Sequence, residues 1–312
     1  MNPPSTTAPW KTFLDITNAH ARDERIHFEE KGHQYTIDDA KDYTSVTTRN
    51  HAYFPKFDAD KVIKSMMSGR NWKEGHKNWG MTAEQIKESW SQNGTHEAGL
   101  GTQLHEKIEI FMNRPWMPWP YTQAQLLKEY EEWWKMLSSS ENEVELEDTI
   151  QNHYFMEFYD ISDTAEWGYF LTFLRDFPTL VPYRTEWLIF HEEQKLAGSI
   201  DMTYLDVETG DLLIYDWKRA KYIPPSTEGS FGRYATHPLL QNIPDTNFWH
   251  YSLQLNTYQA ILEKKYGKHV RELCLIRLHP NHTTYERIPL PNLQPLIEKL
   301  FTHAHEHQTQ KH

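Results

Sequence analysis

Cysteine is nearly absent from these 312 residues: Cys274 stands alone. A single thiol cannot close an internal disulfide, build a cysteine-based zinc site or ligate an iron–sulfur cluster. Any resident metal must take oxygen and imidazole ligands. There is also no run of about 18 apolar residues, the length a membrane-spanning helix needs. The opening Met1-Asn2-Pro3-Pro4 lacks the charged-then-apolar layout of a signal peptide. A soluble intracellular chain with no membrane partner is expected. No Gly-x-x-x-x-Gly-Lys-Ser/Thr loop occurs, so no nucleotide cofactor is expected, and ATP-driven movement would have to come from a partner. Positive charge is in deficit as well. With 32 basic against 44 acidic residues the net charge is -12, which argues against coating nucleic acid by bulk charge and leaves room only for a local basic groove.

What is present suffices for a folded body, since 38% of the residues are hydrophobic and 14% aromatic. Residues 25–29 and 34–37 alternate in polarity around Lys31-Gly32, the pattern of a small hairpin. Helical spacing covers 59–67, and Thr82 to Gln85 reads as a capping box opening a helix to about Trp90, ended by Asn93-Gly94. Further helices are expected over 99–112, 123–137 (capped by Thr122) and 164–176, with a Ser/Glu-rich linker at 138–148. The period then shortens to two. Strands are expected at 181–191, 196–205 and 212–217, the second turn containing Thr209-Gly210. A Pro/Gly-rich stretch at 221–245 is long enough to suggest function or disorder. A helix from Phe248 to Tyr266, strands at 273–278 and 283–288, and a helix at 293–301 close the chain. Four of the 18 histidines (His303, His305, His307, His312) sit in a polar end expected to be disordered.

The helix–meander–helix order predicts an α+β fold, a central mixed sheet flanked by helices. Three units are expected: an N-terminal hairpin and helical elaboration over 1–95, a core over 96–302 and the tail at 303–312.

Chemistry concentrates in the strand meander. Glu186, Asp201 and Asp216 are spaced 15 and 15 residues apart around two short turns. In an antiparallel meander, residues equidistant from a turn face each other, so the three acids should form a row. Strands lie about 4.8 Å apart, and at an effective dielectric near 20 each neighbouring pair would repel by about 3 to 4 kcal/mol. A cation should answer that. Lys218 shares the face of Asp216, two residues on, but supplies no coordination. A hard divalent cation on carboxylate oxygens answers the repulsion better and leaves Lys218 free to orient or deprotonate a water, an arrangement suited to phosphodiester hydrolysis. The bland alternative is a solvated polar sheet face. Against it, Leu212 to Tyr215 leads into Asp216 and Gly198-Ser199-Ile200 into Asp201, so both acids end buried-type strands; for Glu186 the two readings stay open. A one-residue register slip would undo the row.

Gly198-Ser199-Ile200-Asp201 followed by Asp216-Trp217-Lys218 resembles motifs II and III of the PD-(D/E)XK nuclease superfamily. Gly101-Thr102-Gln103-Leu104-His105, continuing to Glu109, resembles the upstream Gly-Thr-x-x-His-x-x-x-Glu helix of its RecB-like exonuclease branch, and Gln254 to Tyr258 the downstream Gln-x-x-x-Tyr helix. The four motifs stand in family order over about 100–260, and the similarity is to viral, phage and mitochondrial genome-maintenance exonucleases. The resemblance implies a restriction-endonuclease-like core. It implies one or two Mg²⁺ or Mn²⁺ ions held by His105, Asp201, Asp216 and the backbone carbonyl of Trp217. Lys218 becomes the catalytic lysine, with Glu186 and Glu109 supporting the metal directly or through water, and Gln254, Tyr258 and Thr102 serving substrate or the site. Relatives with iron–sulfur clusters are excluded beyond the nuclease core by the lone cysteine.

The residues themselves agree in part: His105 and Glu109, like Gln254 and Tyr258, lie four apart and share a helix face. Arg219 and Lys221, with Tyr222, could flank the metal and bind substrate, as could the Phe231-Gly232-Arg233-Tyr234 stretch. Tyr43 to Arg49 offers hydroxyls and a cation, although a plain strand or turn is the simpler reading. Trp116, Trp119, Trp133 and Trp134 are expected to anchor the helical core rather than stack on bases. The function expected is a metal-dependent deoxyribonuclease acting on linear or single-stranded ends, with a helicase or recombination partner. Its alternatives are an inactive nucleic-acid-binding protein of the same fold, a structure-specific endonuclease, or a histidine-rich metal-binding protein.

Overall fold

The computed structural model describes residues 12–114, 116–139, 154, 156–224, 230 and 232–309. Its centre is a six-stranded mixed sheet. Strand β4 (Val181–His191) pairs antiparallel with the whole of β5 (Leu196–Leu205). On the other edge of β5, β6 (Leu212–Lys218) takes only Met202–Leu205, and the two-residue β3 (Thr44–Ser45) pairs in parallel with Leu196 and Ala197. Strand β6 continues in parallel with β7 (Val270–Arg277), which pairs antiparallel with β8 (Glu286–Pro289). The expected hairpin forms a separate two-stranded sheet, β1 (Ile26–Glu29) with β2 (Gln34–Ile37).

Two cores lie on the two sides of the sheet, because β6 is buried on both faces. Leu212 and Ile214 enter one core with helix α7 (Asn247–Lys265) and helix α8 (Gln294–Thr309); Leu213, Tyr215 and Trp217 enter the other. That second core collects the end of α4 (Ala83–Met112), α5 (Gln123–Ser139) and α6 (Ala165–Asp176), the last capped by the Thr164 side chain. The tryptophan cluster packs there as expected, Trp133 buried and Trp116, Trp119 and Trp134 half-covered. Short helices α1 (Phe13–Thr17), α2 (Val46–His51) and α3 (Ala59–Met67) complete the N-terminal part.

Three expectations about boundaries fail. Helix α4 does not stop near Trp90: it runs unbroken for 30 residues through Asn93-Gly94 and across the domain boundary expected at 95/96. Each interior glycine costs about 1 kcal/mol relative to alanine, yet both ends of the helix are pinned. Thr82 and Gln85 close a reciprocal capping box and Ile86 is buried at the start, while Leu104 to Met112 is held in the core at the end. Residues 303–309, expected to be disordered, continue α8. Finally, the strand expected within Tyr43 to Arg49 is confined to Thr44–Ser45, and Val46–His51 is helix, with Ser45 capping it by accepting from the Thr48 amide. The Ser/Glu-rich linker lies outside the described residues from 140 on.

Candidate active site

The sheet forks where the motifs meet. Pairing of β5 with β6 begins only at Met202↔Tyr215, and β3 pairs only as far as Ala197, so Gly198 to Asp201 has no strand along that edge among the described residues. From Asp216 onward β6 holds to β7 instead, with Asp216 opposite Leu275 and Lys218 opposite Arg277. Within this gap β5 turns over: Ile200 packs in one core and Met202 in the other, although residues two apart on a regular strand face the same side. Asp201 sits at the reversal. Its Oδ2 accepts from the backbone amide of Trp217 at 3.2 Å, bridging the fork by a side chain where no ladder bond spans it.

Into this fork α4 delivers His105. One ring nitrogen lies 2.8 Å from the carbonyl oxygen of Trp217 and the other 3.4 Å from Asp201 Oδ2. Glu186 approaches from β4 in a left-handed conformation, φ 44°, which is costly for a residue with a Cβ and places the irregularity inside the site. Its Oε2 accepts from the Ser199 hydroxyl at 2.7 Å. His105, Glu186 and Asp201 each bring a potential ligand atom within 4.8 Å of the others. The expected row of three acids is therefore split. Asp216 is outside that triad, its Oδ2 2.5 Å from Lys218 Nζ, so Lys218 is not the free group the sequence suggested.

Burial dominates the electrostatics. It raises the Glu186 carboxyl, and the charge of Asp201 raises it further, with Glu109 adding to the repulsion and the Ser199 hydrogen bond partly offsetting it. Asp216 is raised by the same two causes, burial and then Asp201, against the pull of Lys218. For Lys218, burial works against the ammonium, but Asp216, Asp201 and Tyr251 together outweigh it and its pKa ends above the ordinary lysine value. The fork is thus short of positive charge even with Lys218 in it.

Helix α7 brings Gln254 and Tyr258 to the same place. Gln254 Nε2 donates to the Tyr258 hydroxyl at 2.9 Å and to the Thr47 hydroxyl at 3.2 Å. The buried Tyr258 ring lies so close to Gly198 that a Cβ there would be 2.6 Å from its Cε1. Thr102, Arg219 and Lys221 are not drawn in. The exposed Thr102 hydroxyl donates to the Ala98 carbonyl of its own helix. Arg219 is half-buried and paired with Glu166, Nε to Oε1 2.8 Å, and with Glu97. Exposed Lys221 pairs with Glu97 at 3.3 Å. Arg49 is likewise engaged, with Tyr53 and Gln194. Two participants escaped the sequence reading. Ser199 lies inside a motif already quoted. Tyr251, whose ring carries Lys218 Nζ 4.7 Å from its centroid, stands three residues before Gln254 and seven before Tyr258, a helical spacing that could have exposed it.

A hard divalent cation fits this donor set. Oxygen and imidazole atoms are what such ions take. Adjacent ligands around an octahedral ion at about 2.1 Å lie about 3 Å apart, comparable with the 2.8 Å between His105 Nε2 and the Trp217 carbonyl oxygen. Burial and the charge of Asp201 raise both Glu186 and Asp216, Asp216 even against the pull of Lys218, and a divalent ion would favour their charged forms. Comparison with curated proteins gives no match. The sequence model of the PD-(D/E)XK nuclease superfamily matches residues 79–310, about three quarters of the chain and all of the fork. With a mixed sheet flanked by helices and the motif acids at its open edge, the chain belongs to the PD-(D/E)XK nuclease superfamily.

Proposed function

We propose that the protein is a Mg²⁺- or Mn²⁺-dependent deoxyribonuclease of the RecB-like branch that degrades DNA from its ends. The observation carrying this reading is the convergence of His105, Glu186 and Asp201 within 4.8 Å, beside the Asp216–Lys218 pair, at the only described stretch of β5 edge without a neighbouring strand. His105, Asp201, Asp216 and the Trp217 carbonyl would hold the ion, with Glu186 and Glu109 in support. When bound, the ion would screen the scissile phosphate and make a water more acidic. The protein's own groups do the rest. Lys218 orients the attacking water by hydrogen bonding and places a positive charge near the pentavalent phosphorus. Tyr251 keeps the ammonium in position from below. Gln254 and Tyr258 hold Gly198 and the start of the motif strand, which fixes the direction of Asp201.

The test incubates linear, nicked and closed circular DNA with Mg²⁺, Mn²⁺ or EDTA, using the parent, Asp216→Asn and Lys218→Ala. Linear DNA should disappear only with metal and only for the parent. Parental rates in both variants would remove the mechanism. Loss of closed circles would make the enzyme an endonuclease, and an RNA substrate run in parallel reads the choice of sugar.

A further inference from the structure

A cavity of about 700 Å³ lies one helical turn from Gln254, lined in part by His51, Phe54, Lys56, Phe57, Arg233 and His250. We infer that it binds one nucleotide of the strand leading to the fork, with the base against Phe57 and the phosphate on Lys56 and Arg233. This rests on the nuclease reading for its ligand.

Thr47 and Gln254 are hydrogen-bonded partners, and His51 and His250 stand four residues from each along α2 and α7 respectively. Four residues of helix advance about 6 Å, a step comparable to one nucleotide of extended strand. The cavity and the fork are therefore consecutive along one path.

Nucleotide sites pair a flat ring for the base with cations for the phosphate. Phe57 leaves 68% of its surface in water and is backed by Trp90 of α4 at a centroid distance of 6.5 Å. The floor is a second flat surface, His250 stacked on Phe54 at 4.0 Å. Exposed Lys56 makes no ion pair among the described residues. The single acid in the cavity, Asp245, is engaged by Arg233 Nε at 3.1 Å and by His250 Nε2 at 3.0 Å. Lys56 and Arg233 against the one carboxylate of Asp245 leave the lining one net positive charge, inside a chain that is otherwise strongly acidic. A duplex would have to expel a base to fill the cavity, which favours a single strand.

The test measures binding in EDTA, so that turnover does not intervene. A fluorescein-labelled DNA strand of about twelve nucleotides, within the range of single-strand site sizes, is titrated with full-length parent, Phe57→Ala, Phe57→Trp and Lys56→Gln. Parent and Phe57→Trp should bind alike, and Phe57→Ala about tenfold more weakly. Lys56→Gln should bind more weakly with a shallower salt dependence. Both side chains are exposed, so unchanged circular dichroism is expected for every variant. Equal affinity of parent and Phe57→Ala, or no binding by the parent, would overturn the inference. Cleavage is scored separately: a parent that binds through Phe57 and cuts nothing sinks the nuclease assignment alone. Metal-dependent cutting with an unchanged KM in Phe57→Ala sinks the cavity alone.

Discussion

The ring of Tyr258 occupies the space that a side chain at Gly198 would fill, with Cε1 2.6 Å from the position of a Cβ there. The motif glycine and the motif tyrosine, 60 positions apart, are therefore one steric unit. Gly198→Ala should push the ring away, break the Gln254–Tyr258 hydrogen bond and disturb Asp201 three residues on. Overpacking of this kind costs about 1 to 3 kcal/mol. Urea unfolding should show that loss, and activity should fall further than the stability loss explains. Combined with Tyr258→Ala, which alone empties a buried site at a cost of about 3 to 5 kcal/mol, the loss should be less than the sum of the two single variants. A Gly198→Ala protein as stable and active as the parent would contradict the packing.

Lys218 and Asp216 form the second such unit, Nζ to Oδ2 2.5 Å with both side chains largely buried. Lys218→Met removes the cation and leaves a buried carboxylate, which is then driven further towards the protonated state. Breaking a buried pair by removing one partner costs about 3 to 5 kcal/mol. Because protonation relieves part of it, the lower end is expected. Changing both members, to Lys218→Met with Asp216→Leu, should restore stability towards the parental value while activity stays lost. Calorimetric unfolding of the single and double variants separates the two effects.

Much of this arrangement was legible in the sequence because it is local. Strand periodicity located β4, β5 and β6 to within a residue, and hairpin arithmetic put Asp201 opposite Asp216, the position the observed Met202↔Tyr215 register would reach if extended. What the arithmetic could not contain is the fork: strand pairing stops one residue short of that position, and Asp216 turns to Lys218 rather than to the triad. Nor could it foresee that Glu186 would reach the triad through a positive φ. Gly94, a sound stop signal by propensity, was overruled because tertiary packing holds both ends of α4. Arg219 and Lys221 looked like groove cations because they follow the catalytic strand, and no local rule discloses that Glu97, 122 residues away from Arg219, is their partner.

That engagement of Arg219 makes its role testable. Its guanidinium joins the strand end after Lys218 to Glu166 on α6 and to Glu97 on α4, the helix that carries His105 two turns later. Arg219→Gln should lower stability by about 2 to 4 kcal/mol, since Glu166 is left half-buried without its cation. In substrate titrations kcat should fall more than KM rises, because His105 loses its support while the groove keeps its charge. A variant with parental stability and a raised KM would instead restore the reading of Arg219 as a substrate contact.

Acid should destabilise the protein partly through His191, far from the fork. Burial pushes its imidazole down to about 4, helped by Lys265 and Lys264 and opposed by Glu193 and Glu192. Phe301 meets the ring edge-on at 5.2 Å, and Glu193 Oε2 lies 3.0 Å from Nδ1. In the unfolded chain a histidine titrates near 6.5, so between the two values the unfolded state binds the proton and the folded state does not. The contribution of His191 is therefore complete above about pH 6.5 and is lost as pH falls towards 4, by on the order of 3 kcal/mol at most. Carboxylates titrate in the same range, so the informative quantity is a difference: urea-derived stability of the parent minus that of His191→Phe, followed from pH 7 to 4. That difference should shrink as the pH falls. A difference independent of pH would mean that the imidazole protonates as easily folded as unfolded, and that water reaches it despite the surrounding packing.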